Sequence, residues 1–268
     1  MTGFWRRGTI ARMGTDEGHP ILLDADATLG RNPRVDVGSG TVDELLVRMD
    51  RVGIRTAVVS HTTARWHDPR AGNARLMTEI AGVERLLPSW VVLPDRTGEM
   101  PAPDEFVAEA LAAGVVAVRA YPEDHGYDLA GPDCTRLFSA VAAAGLPVLV
   151  DLWQTSWGQI ETLADAHPTL SIVVGELGYR VLRRAAGVLD RCPNVYLGTA
   201  HFASHLGLEW LVQEFAPERL VFGTGMPARD PAEAVTRLLW SELADPAVTT
   251  IAAGTFTSLI PTSSGARS

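Results

Sequence analysis

The chain of 268 residues contains no lysine; all 23 of its basic residues are arginine. Without a lysine amine there is no Schiff-base chemistry, and no metal pair bridged by a carbamylated lysine. Only two cysteines are present, Cys134 and Cys192, with no C-x-x-C pair and no disulfide framework to build. No apolar run has the length of a membrane span. Arg6 and Arg7 are followed by Gly8-Thr9-Ile10-Ala11-Arg12-Met13, not by an apolar stretch, so no signal peptide is visible and the cytoplasm is the expected location. A Gly-rich phosphate loop after the first strand is also missing, which counts against a doubly wound dinucleotide fold.

What is present suits a packed globular protein. Hydrophobic residues make up 46% of the chain and charged ones 21%, with a mean hydropathy of +0.08. The net charge of −9 argues against nucleic acid or an anionic membrane as partner. The expected partner is a small-molecule substrate, with a homo-oligomer left open.

Short β-branched runs alternate with amphipathic segments throughout. Strands are expected over Ile21–Asp26, Thr56–Ser60, Leu87–Leu93, Val115–Ala120, Val148–Asp151, Ile172–Val174, Val195–Gly198 and Leu220–Gly223. Helical patterns fall between and after them, over Val42–Val52, Gly72–Gly82, Pro103–Ala113, Asp133–Ala144, Gly158–His167, Tyr179–Asp190, Ser204–Phe215 and Ala232–Leu243. Gly53, Gly114 and Gly145 read as helix C-terminal glycines, and Asp133 and Ser204 as N-caps. Repeating strand–helix units of roughly thirty residues predict one α/β domain, a (β/α)8 TIM barrel over residues 1–268. Residues 1–18 are expected to form an N-terminal cover, and 261–268 a fraying tail.

In such a barrel, chemistry collects where strands end and βα loops begin. That rule selects Asp24 and Asp26 on the first strand, His61 on the second, Arg119 on the fourth, Asp151 on the fifth, Glu176 on the sixth and His201 on the seventh. Asp26, Asp151, Glu176, His61 and His201 are the catalytic candidates. Arg119 can hold a carboxylate through two parallel hydrogen bonds or neutralise the acids. Trp153 and Tyr121 follow strand ends as candidate pocket walls, and Thr28 joins them as a substrate contact.

Five fragments in order carry a resemblance. Asp24-Ala25-Asp26-Ala27-Thr28-Leu29-Gly30 looks like D-x-H-x-H-x-G, Pro147-Val148-Leu149-Val150-Asp151 like P-V-x-x-H, and Gly175-Glu176-Leu177-Gly178 like G-H-x-G. Arg219-Leu220-Val221-Phe222-Gly223-Thr224-Gly225-Met226-Pro227 looks like R-I-L-F-G-S-D-W-P, and Gly254 sits like the closing G-N-A helix. The chain thus resembles the amidohydrolase-related family, the branch with aminocarboxymuconate semialdehyde decarboxylase. The resemblance implies a small-molecule hydrolase or lyase. In these fragments Asp26, Thr28, Asp151 and Glu176 replace histidines, and Gly225 replaces an aspartate. Zinc favours imidazole and thiolate ligands, so the expectation is no cofactor and no His-bound metal.

Asp26, Asp151 and Glu176 should still converge at the barrel axis, where unpaired carboxylates repel one another. Three readings remain open. One is an acid–base enzyme acting by hydrolysis, decarboxylation or proton transfer on a small carboxylated or cyclic molecule. A second is a carboxylate site for magnesium, manganese or calcium. The third is a non-catalytic binding barrel.

Overall fold

The computed structural model describes residues 15–16, 19–38 and 40–261. Eight parallel strands stand in chain order: β1 (Leu22–Leu29), β2 (Ile54–His61), β3 (Leu86–Val92), β4 (Ala117–Ala120), β5 (Val148–Asp151), β6 (Ile172–Gly175), β7 (Val195–Gly198) and β8 (Leu220–Val221). The seam between the last strand and the first is closed by three hydrogen bonds of 2.9 Å. The N–H groups of Ala25, Gly225 and Thr28 donate to the carbonyls of Phe222, Asp26 and Met226. The expected (β/α)8 barrel is the observed fold. The expected N-terminal cover lies outside the described residues apart from Thr15–Asp16, which pair antiparallel with His19–Pro20. The expected tail lies outside them beyond Pro261.

Period-two alternation builds two apolar layers. Leu23, Ala25, Val58, Leu87, Ala117, Leu149, Val173 and Val221 pack together inside the barrel. Leu22, Ala57, Leu86, Val118, Val148, Ile172 and Val174 face the helices in a second cluster. Two residues beyond an inward side chain the strand points inward again. Arg119 follows Ala117, and Asp151 follows Leu149, by this rule.

Asp26 breaks it. Ala25 already faces inward, yet Asp26 does too, because the register of β1 against β2 shifts between Asp24 and Ala27. A bulge of this kind re-aims one side chain at the cost of local pairing.

The helices are α1 (Val42–Val52), α2 (Thr62–Trp66), α3 (Pro69–Glu79), α4 (Pro103–Ala112), α5 (Pro122–His125), α6 (Thr135–Ala143), α7 (Trp157–Ala166), α8 (Leu182–Arg191), α9 (Gly207–Phe215) and α10 (Pro231–Leu239), followed by the short α11 (Asp245–Thr249) and α12 (Thr255–Leu259). The α1 helix begins where the Thr41 hydroxyl accepts the Glu44 N–H and ends at Gly53 with φ 75°. Two expected caps are corrected. A 3-10 turn over Pro132–Cys134 absorbs Asp133, whose carboxylate pairs with Arg96 at 2.9 Å. The α9 helix begins after Leu206, held left-handed at φ 48°, so Ser204 lies outside it.

Candidate functional site

At the C-terminal end of the strands, Arg119 of β4 reaches across the axis to two acids. Its Nη1 donates to Asp26 Oδ1 at 2.6 Å, and its Nη2 makes a short hydrogen bond to Asp151 Oδ1. The side chains of Arg119 and Asp151 are almost fully buried, and that of Asp26 nearly so. Ion pairs in such surroundings are strong electrostatically but costly to desolvate, so neither acid is compatible with losing the guanidinium. Burial pushes the Asp151 carboxyl up to about 6; Arg119 pulls it down, while Asp26 and Glu176 push it further up. Held near neutrality, this carboxyl can take and give a proton at ordinary pH.

Glu176 follows β6 in a left-handed conformation, φ 51°, which a residue with a Cβ adopts at a cost. Its carboxylate is gripped by Arg229, Nε to Oε1 at 2.8 Å and Nη2 to Oε2 at 2.6 Å. Burial opposes its ionisation, but the bonds and charge of Arg229, with His201 and Arg119, hold it below its ordinary value. Gly225 makes room for this pair, since a Cβ there would sit 3.1 Å from Glu176 Oε1 and 3.3 Å from Arg229 Cδ.

Beneath these acids lies Asp24, fully buried. Its oxygens accept the N–H groups of Asp26 and Thr224, each at 2.9 Å, and the Thr224 hydroxyl.

Four loops meet above the site. Arg65, just after β2, has its guanidinium carbon 4.2 Å from the Trp66 ring centroid, 4.5 Å from Tyr121 and 4.7 Å from Trp153. Its Nε and Nη2 each lie 2.8 Å from Asp124 Oδ2, which Gln154 Nε2 also reaches at 2.7 Å. Arg34, from the loop after β1, stacks on Trp66 at 4.2 Å and lies 3.5 Å from Asp124. Under this roof the axial cavity is about 20 Å3, lined by Asp26, Arg119, Asp151, Gly175, Gly198 and Gly223 among others. It has room for about one water molecule.

The structure therefore brings Asp26, Arg119 and Asp151 into one group with Glu176 beside them. His201 joins at the edge, its Nδ1 3.3 Å from Glu176 Oε2 and its side chain 43% exposed. His61 does not join. Its Nδ1 accepts the Thr63 N–H at 3.0 Å, and its Nε2 lies 3.3 Å from Glu79. Tyr121 is buried and Trp153 half exposed, both in the roof. Thr28 is half-buried on β1, its N–H bonded to Met226. Sequence reasoning missed Arg229 and Arg65. Arg65 lies on α2 and Arg229 on the loop after β8, both past the strand ends; the only signal for them was that three converging acids need more than the one cation of Arg119.

The family model described as Amidohydrolase matches residues 17–254, and the chain belongs to that family. No curated protein matches it in sequence. Among solved structures, 2,6-dihydroxybenzoate decarboxylase from Rhizobium superposes with a TM-score of 0.69 at 16% identity, covering 89% of this chain and 97% of that one. The 5-carboxyvanillate decarboxylase from Novosphingobium aromaticivorans, with manganese and 3-methoxy-4-hydroxy-5-nitrobenzoic acid, gives 0.71 at 13%, covering 92% and 99%. The dihydroxybenzoic acid decarboxylase from Polaromonas, with manganese and the inhibitor 2-nitroresorcinol, gives 0.68 at 14%, covering 89% and 96%. At such identities the likeness is one of fold.

The manganese bound in two of these neighbours corrects the expectation of no cofactor. The donors described in this chain do not match that ion. Among the described residues no three His, Cys, Asp or Glu gather as a metal-holding group. The reason is visible at the axis, where guanidinium nitrogens of Arg119 and Arg229 already engage the carboxylate oxygens of Asp26, Asp151 and Glu176.

Proposed function

We propose that the chain is an enzyme acting on a small carboxylated ring compound at the barrel mouth, with Asp151 as the proton-transfer group. The observation that carries this reading is the buried Asp26–Arg119–Asp151 group, in which one carboxyl is raised to about 6 and fixed by a guanidinium. Decarboxylation is the reaction class suggested by the neighbours' substrates, 2,6-dihydroxybenzoate and 5-carboxyvanillate. In that reaction the bond from ring carbon to carboxylate breaks and carbon dioxide leaves. The electron pair stays on the ring carbon, which takes the proton from Asp151; water then restores that proton. Arg119 keeps the resulting Asp151 carboxylate compensated. Trp66, Tyr121 and Trp153 would wall the ring once the Arg65–Asp124 contact opens, since the closed axial cavity of about 20 Å3 admits no ring.

The test is carbon dioxide release from both compounds, measured with and without added manganese. The wild type is expected to turn over at least one of them, and Asp151→Asn to lose about a hundredfold or more in kcat. An Asp151→Asn variant as active as wild type overturns the role given to Asp151. The saturated ion pairs and closed mouth favour one rival, a binding barrel without chemistry; its mark would be ligand binding with no carbon dioxide released by the wild type.

A further inference from the structure

The roof over the axial acids centres on one arginine. Arg65, in α2, has a side chain 15% exposed, and three aromatic rings lie against its guanidinium. Such rings stabilise a cation without bonding its N–H groups. The ring of Tyr121 links this cation to the axis, with Arg65 4.5 Å from its centroid and Arg119 5.5 Å. Arg65 is near enough that its charge helps to hold the Asp151 carboxyl down. A ligand entering from the mouth to reach Asp151 therefore meets Arg65.

The ion pair that keeps Arg65 in place suits exchange. Its Nε and Nη2 both meet the same oxygen of Asp124, Oδ2, at 2.8 Å. Arg229 on Glu176 shows the stronger arrangement, two nitrogens on two oxygens. A ligand carboxylate can offer Arg65 that fork. Asp124 is not stranded by the swap. Gln154 Nε2 donates to it at 2.7 Å, and Arg34, with most of its side chain in solvent, lies 3.5 Å from Oδ1. No buried charge loses all its partners when Arg65 lets go, which removes the main cost of breaking a buried pair. The backbone keeps its place, because His125 Nε2, 2.9 Å from the Arg65 carbonyl, joins α5 to α2 independently of the guanidinium.

We propose that Arg65 is the specificity-determining residue that recognises the ligand's carboxylate. That carboxylate replaces Asp124 on the Arg65 fork, Asp124 passes to Arg34 and Gln154, and the roof opens onto the axial acids. This role rests on the reading of those acids as the place where the ligand reacts, and adds the group that admits it.

Benzoate and its uncharged counterpart benzamide are the probes, each titrated calorimetrically into the full chain. Benzoate is expected to bind saturably and about tenfold or more tightly than benzamide. Arg65→Met, which keeps an apolar stem among the rings, should bring the two probes to within about twofold of each other. Asp124→Asn keeps the shape but removes the competing charge. It should tighten benzoate severalfold, more than benzamide, which loss of a merely structural contact would not do. The role of Arg65 is overturned by any of four results: no saturable benzoate binding, equal affinity of the wild type for both probes, a preference that survives Arg65→Met, or benzoate binding left unchanged or weakened by Asp124→Asn. Carbon dioxide release separates this role from the reaction itself. No release by the wild type, with Arg65-dependent benzoate binding intact, sinks the reaction alone. Turnover that needs Asp151 while its KM is indifferent to Arg65→Met sinks Arg65 alone.

Discussion

Asp24 sits where its surroundings favour the protonated carboxyl. Burial pushes its carboxyl up to about 7, against the hydrogen bonds from Thr224 and the Asp26 amide that pull it down. In the unfolded chain the value is near 3.9, so the folded state binds the proton more tightly, and stability falls as pH rises from about 4 to 7. For a shift of roughly three units the effect is on the order of 4 kcal/mol. Asp151, raised to about 6, acts in the same direction over a narrower window. Asn at position 24 keeps the shape, accepts the same amides and cannot ionise. Urea unfolding should therefore give a wild type less stable at about pH 8 than at about pH 5, and an Asp24→Asn variant with much less of that slope. Equal slopes would remove Asp24 as the cause. Arg229→Met, in turn, should cost about 1–2 kcal/mol, a figure discounted because the arginine is 38% exposed. It leaves the Glu176 carboxylate without its main partner. Adding Glu176→Gln should recover most of the loss; full additivity of the two changes would show that the pair is not coupled.

The elements themselves were largely legible. The pattern places α1, β5 and β7 over the ranges observed, and the other strands within a few residues. The inward positions of Arg119 and Asp151 follow from strand alternation alone. The boundaries that moved did so for local tertiary reasons: a 3-10 turn before α6 and a left-handed Leu206 before α9. The second βα unit differs most: the helix expected over Gly72–Gly82 is α3, beginning at Pro69, and an additional short helix, α2, precedes it and packs against it at Gly72. A Cβ there would lie 2.1 Å from the Ala64 nitrogen and 2.4 Å from its Cα. These are backbone atoms and cannot step aside. Gly72→Ala is expected to cost about 2–3 kcal/mol, read as a lowered urea midpoint. A neutral result would mean that the two helices are free to separate.

At the scale of the whole molecule, Asp24 and Thr224 connect the first strand to the segment after the last, beside the three backbone bonds of the seam. Thr224→Val removes one donor from a fully buried carboxyl and should cost about 1–3 kcal/mol. Hydrogen exchange should rise first in β1 and after β8, not evenly around the barrel; an even rise would place closure elsewhere. Among the described residues no helix is long and apolar enough to cross a membrane. The sequence by itself determined the barrel, the order of its strands and the end where the acids gather, because apolar periodicity and strand-end position are local properties of the chain. It did not determine what the acids do to one another. The bulge that turns Asp26 inward, the Arg229 grip on Glu176, the rotation of His61 away from the axis and the roof around Arg65 depend on residues far apart in the chain. Their charges and volumes are matched only once the barrel has closed.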